Sequence, residues 1–80
     1  MTEIEKYKNC YVEAFDVEIK DVEKLEYQSI EEWDSVGHMG LMSELEDTFD
    51  ITLEMDDIID FSSYTKGIET LEKYGVKLSE

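Results

Sequence analysis

The chain has 80 residues, enough for one domain around a small core. Twenty-two Asp and Glu against seven Lys leave a formal charge of −15, which argues against a nucleic-acid binder, since those present basic patches to phosphate. No apolar run is long enough to cross a bilayer, and a single cysteine, Cys10, excludes an intramolecular disulfide and a cysteine-based zinc site.

So much like charge on a small body repels itself and costs stability. The partners it suits are proteins with Lys- and Arg-rich surfaces, met quickly and released easily. Met1-Thr2-Glu3 opens an acidic segment and not a signal peptide, so a cytoplasmic, monomeric protein without membrane insertion is expected.

Residues 2–16 read as the first helix. Thr2 followed three residues later by Glu5 is a capping box, which satisfies amide groups otherwise orphaned at a helix start. Ile4, Tyr7, Tyr11, Ala14 and Phe15 recur at helical spacing and form its apolar stripe. Residues 17–34 hold no period. Val22, Leu25, Ile30 and Trp33 stand irregularly among Lys and Glu, which predicts a long ordered loop pinned by those four side chains, with a short helical turn near Val22–Leu25.

The second helix is expected over 36–49, with Val36, Met39, Met42, Leu45 and Phe49 as its stripe and Ser35 as N-cap. Gly37 and Gly40 lie inside it, each costing about 1 kcal/mol relative to Ala. Close approach of another backbone, room for a bound group or tolerated weakness would each account for them. A third, short helix fits 54–60 with Met55, Ile58 and Ile59 apolar. A last helix fits 63–74, capped by Ser62 or Ser63, with Gly75 in the left-handed position that ends it. Residues 76–80 read as a loose tail. The sum is an all-α fold: a small bundle of three principal helices and one short one.

Laid out this way, the chain resembles the acyl carrier protein family. The match is Asp34-Ser35-Val36, then Leu41, Leu45-Glu46-Asp47 and Phe49, a connector, a short helix closing at Phe61, Ser62-Ser63, and a final helix through Tyr74, without gaps from Trp33 to Gly75. The resemblance implies that a phosphopantetheinyl transferase uses coenzyme A and magnesium to attach 4′-phosphopantetheine to Ser35. The terminal thiol of that arm then carries an acyl or aminoacyl group as a thioester. The carrier catalyses nothing; it passes cargo from a loading enzyme to a downstream transferase or synthase with a basic docking surface. Asp34 would act beside the attachment point toward partners or a metal ion on the modifying enzyme. Val36, Glu44, Glu46 and Asp47 would form the partner-binding face.

Two departures narrow the expectation. Carriers of fatty acid synthesis usually have acids where Gly37 and Gly40 stand, and commonly Leu where Val36 stands. The altered face near Ser35 points to a dedicated biosynthetic pathway. The competing function is an unmodified acidic helical adaptor for basic proteins. An enzyme built on Cys10, His38 or the carboxylates is disfavoured, because the only His is far from the only Cys in sequence, no acid pair is set for a cleft, and little core is available for a dry pocket. Cys10 reads as a structural thiol, His38 as an exposed residue at a helix start, and Trp33 as a packing anchor. Met39, Met42 and Met55 read as a yielding core, suited to a bundle that opens around an apolar chain.

Overall fold

The computed structural model describes residues 2–78. It is an all-α bundle, with no strand among the described residues beyond a single Glu26–Ser63 bridge. The elements are α1 (Glu3–Phe15), a 3-10 helix (Ile19–Lys24), α2 (Ser35–Phe49), α3 (Met55–Asp60) and α4 (Tyr64–Glu72). No helix is long and apolar enough to cross a membrane.

Local chemistry sets the first helix. The Thr2 hydroxyl accepts from the Glu5 amide at 3.3 Å, and the Glu5 carboxylate accepts from the Thr2 amide at 3.1 Å. Asp16 ends α1 in the left-handed region at φ 56°, a conformation Asp tolerates because its short side chain can bond locally. The spacing of Tyr7, Tyr11 and Phe15 puts three rings on one face, and all three are buried. They build an aromatic core with Tyr64, Trp33 and Phe61. Tyr7 lies 4.8 Å from Tyr64, and Phe15 lies 5.2 Å from Trp33, centroid to centroid. The core is also wired. Tyr7 donates its hydroxyl to the Tyr64 carbonyl at 2.6 Å, so Tyr11 must be the donor in the 2.8 Å bond between the two phenols. Burial pushes both phenols well above their ordinary range. Gly67 on α4 is part of this fit, since a Cβ there would overlap the Tyr7 hydroxyl and the Phe61 ring.

The segment between α1 and α2 is ordered, as its four apolar side chains imply. Val22, Leu25 and Trp33 are buried and Ile30 packs against them. The turn near Val22 is a full 3-10 helix starting at Ile19. Main-chain bonds from Tyr27 to Ser62 (2.8 Å) and from Tyr64 to Leu25 (3.0 Å) stitch the segment to the corner between α3 and α4.

Several sequence expectations need correction, three of them in the packing of the tail, the methionines and α2. Residues 76–78 are not a loose tail: Val76 and Leu78 are buried in the core, and the Val76 amide bonds the Leu71 carbonyl at 3.2 Å. The rest of that expected tail, 79–80, lies outside the described residues. Met39 and Met55 are exposed, leaving Met42 as the core methionine of the three. The expected stripe of α2 is also displaced. Its buried face is His38, Leu41, Met42 and Leu45, while Val36 is 82% exposed. Successive steps of three residues fall short of a turn by about 60° each, so Val36 lies about 180° around the helix from Leu45.

Candidate functional site

Ser35 is the first residue of α2 and is exposed. It is not the N-cap expected from the sequence. Asp34 takes that role, its backbone extended and its Oδ1 accepting from the Gly37 amide at 2.8 Å, while its carbonyl accepts from the His38 amide at 2.7 Å. A carboxylate is the better acceptor at the positive end of a helix. The consequence is chemical: capping is done one residue earlier, and the Ser35 hydroxyl has no hydrogen-bond partner among the described residues. The amides of Ser35 and Val36 have no acceptor within the helix and face the same end.

The backbone around this hydroxyl is held from behind. A Cβ on Gly37 would overlap the Glu32 carbonyl oxygen and press on the Phe15 ring. Gly37 is therefore the close approach of two backbones, through which the loop and α2 lock together. Gly40 faces open space, and nothing in the structure explains it.

One turn after Ser35, His38 is buried, where an exposed side chain was expected. Trp33 donates its indole Nε1–H to His38 Nδ1 at 2.9 Å. An indole nitrogen only donates, so Nδ1 must be unprotonated and the proton sits on Nε2. Nε2 then donates to the Ile58 carbonyl at 2.7 Å. The imidazole lies nearly parallel to the Trp33 indole, edge to edge across the bond between them with centroids 6.2 Å apart, and meets Phe61 edge-on. It thereby ties the loop, α2 and α3 together through one ring. The sequence offered a signal for this, because 38, 41, 42 and 45 share a helical face; a polar residue on an apolar face needs partners, and Trp33 was at hand.

Beside this ring lies a recess of about 300 Å³, open to solvent and lined by Tyr27, His38, Ile59, Phe61 and Ser62. Exposed apolar side chains stand on both helices that frame it: Val36 and Met39 on α2, and Met55 and Ile59 on α3.

The remaining acids of the expected partner face have different placements. Asp47 is exposed and Glu44 half-buried. Glu46 is engaged structurally, accepting from the Leu53 amide at 2.7 Å to fix the connector after α2. On α3 the buried Asp57 accepts from Lys73 and, at 2.6 Å, from the Tyr74 hydroxyl, and those bonds hold it below the usual carboxylate range. Cys10 and His38 do not form a thiol–imidazole pair. The thiol bonds Thr48 at 3.4 Å and burial pushes it up, while both imidazole nitrogens are committed to Trp33 and Ile58. No group of three or more His, Cys, Asp or Glu among the described residues is arranged to hold a metal ion.

Comparison of the chain with protein-family models, with curated proteins and with solved structures finds no match.

Proposed function

We propose that this protein is a carrier in the acyl carrier manner, with Ser35 as the attachment point for 4′-phosphopantetheine. It holds an acyl or aminoacyl thioester in the cytoplasm and presents it to partner enzymes of a dedicated biosynthetic pathway. The observation that carries this reading is the exposed Ser35 hydroxyl at the head of α2, spared from capping by Asp34.

The residues present suit the group. A phosphodiester on Ser35 would lie at a helix start, where unpaired amides and the helix dipole favour negative charge. In the modification, Ser35 Oγ forms a bond to phosphorus as a P–O bond of the coenzyme A pyrophosphate breaks. The adenosine bisphosphate leaves, and the serine proton passes to a base on the transferase. The arm supplies the thiol on which cargo rides. A flexible tether keeps that cargo concentrated near any docked active site, so weak contacts suffice. A charge of −15 steers such contacts toward basic surfaces. Val36, beside the serine and almost fully exposed, is placed to touch a partner directly, and Asp34 and Asp47 add charge along the same helix.

Co-expression with a broad-specificity phosphopantetheinyl transferase tests the proposal. The expected result is a mass gain of one phosphopantetheine, abolished by Ser35→Ala, which removes no hydrogen bond among the described residues and should leave the fold intact. An unchanged mass beside a control carrier that is modified would favour the adaptor alternative.

A further inference from the structure

We propose that the Trp33–His38 hydrogen bond is a pH-sensitive latch on the head of α2, closed while the imidazole is neutral and opened by its protonation. The latch stands without the carrier reading; its effect on modification at Ser35 rests on that reading.

The bonding around the ring admits one protonation state. Trp33 donates its indole Nε1–H to His38 Nδ1 at 2.9 Å, and His38 Nε2 donates to the Ile58 carbonyl at 2.7 Å. A second proton belongs on Nδ1, where it would meet an indole N–H that cannot accept. Donor would then face donor beside a Trp33 side chain that is wholly buried. A buried donor without an acceptor is costly, so the indole must move toward water or another acceptor. The proton has a way in, because His38 lines a recess open to solvent.

Only the neutral ring makes both bonds. The latch is therefore closed above about pH 6.5, where an imidazole ordinarily takes its second proton, and opens as pH falls below that. The titratable group in ring contact is Tyr27 of the loop, 5.4 Å away between centroids, and phenols keep their proton throughout the acid range. The loop also carries Glu26, Glu31, Glu32 and Asp34, and α3 carries Asp56, Asp57 and Asp60. None of these carboxylates bonds the ring, whose nitrogens are taken by Trp33 and Ile58, and Asp57 is committed to Lys73 and Tyr74. Their negative field draws a proton in, and the indole donor opposes it.

Trp33 and His38 stand on either side of Ser35 in the chain. Between them Asp34 caps α2 through the Gly37 amide, and its carbonyl accepts from the His38 amide. Movement of Trp33 pulls on that cap, so acid loosens the backbone that presents the serine.

The chain has one Trp and one His, so each partner reports without interference. Wild type and His38→Asn are titrated from about pH 8 to about pH 5, with Trp33 emission and the His38 ring protons followed by fluorescence and NMR. An Asn amide oxygen can accept from the indole where Nδ1 does, and it does not titrate. The expected result is a red shift of wild-type emission that coincides with titration of the imidazole, and a flat profile for His38→Asn. Acid also relieves the charge repulsion, so a general loosening would have the opposite sign. Emission that stays constant while the imidazole titrates, or a ring still neutral at about pH 5, would overturn the latch in the wild-type protein alone. An equal red shift in His38→Asn would do the same. For Ser35, one transferase modifies both proteins, and the wild-type rate divided by the variant rate cancels the enzyme's own pH dependence. That ratio should be near one at about pH 7.5 and fall about threefold at about pH 5.5. A constant ratio beside the emission change would overturn the action on Ser35. Absence of modification in both proteins would overturn the carrier reading and leave the latch to the spectroscopic result.

Discussion

Gly37 and Gly40 are chemically identical residues three positions apart in one helix, and the structure predicts opposite responses to the same substitution. Replacing a helical glycine by alanine gains about 1 kcal/mol from backbone propensity. At Gly40 the new methyl meets nothing within 4 Å, so that gain should appear in full. At Gly37 the methyl overlaps the Glu32 carbonyl oxygen, which belongs to main chain and cannot rotate away. Overpacking costs about 1–3 kcal/mol, and a backbone obstacle places this case toward the upper end. Subtracting the propensity gain leaves Gly37→Ala about 1–2 kcal/mol less stable than wild type, and the two variants about 2–3 kcal/mol apart. In a domain of this size 1 kcal/mol moves the melting temperature by about 4–8 °C, so Gly40→Ala should melt higher by that amount and Gly37→Ala lower by at least as much. Thermal melts followed by circular dichroism measure both. Trp33 fluorescence adds a local readout, because displacing Glu32 moves the adjacent indole. A Gly37→Ala protein as stable as Gly40→Ala would refute the locked contact between the loop and α2, and with it the account of how Ser35 is held.

Further outcomes follow from the same contacts. His38→Ala strands the Trp33 indole N–H and should cost about 1–3 kcal/mol in urea unfolding, with Trp33 emission shifted to the red; unchanged emission would show that the hydrogen bond is not formed in solution. Asp57→Asn should be destabilising at neutral pH. Because Lys73 and Tyr74 depress the Asp57 carboxyl, its contribution is present above the unfolded value near pH 4 and is lost as pH falls through the lower folded value, so the gap between variant and wild type should close below about pH 4. A gap independent of pH would separate the stability loss from ionisation. The charge of −15 predicts a melting temperature that rises with sodium chloride and more steeply with magnesium or calcium; a melt insensitive to all three would show the repulsion to be overestimated.

Local signals carried far in this chain. Thr2 and Glu5 specify the start of α1 by bonds within one turn, and Tyr7, Tyr11 and Phe15 specify its buried face by spacing alone. Irregular Val22, Leu25, Ile30 and Trp33 were enough to mark an ordered loop, and the position of Ser35 at the head of a helix was legible because a polar segment gives way to an amphipathic one there. The cap of α1 rests on partners within one turn, and the other features on spacing and polarity along the chain, so the order of residues makes them legible even where their packing partners are distant.

Tertiary structure decided the rest. Asp34 caps α2 by a local bond, but how the loop before it meets the helix is fixed by the close approach of the Glu32 carbonyl to Gly37. The face of α2 that turns inward depends on docking against α1 and Trp33, which is why Val36 and Met39 lie outside while His38 lies inside. The partners of His38 come from the loop and from α3, and Val76 and Leu78 find their burial only once the other helices have made a surface for them. Burial and hydrogen bonding across the bundle depend on which surfaces meet, and no local pattern of residues encodes that meeting directly.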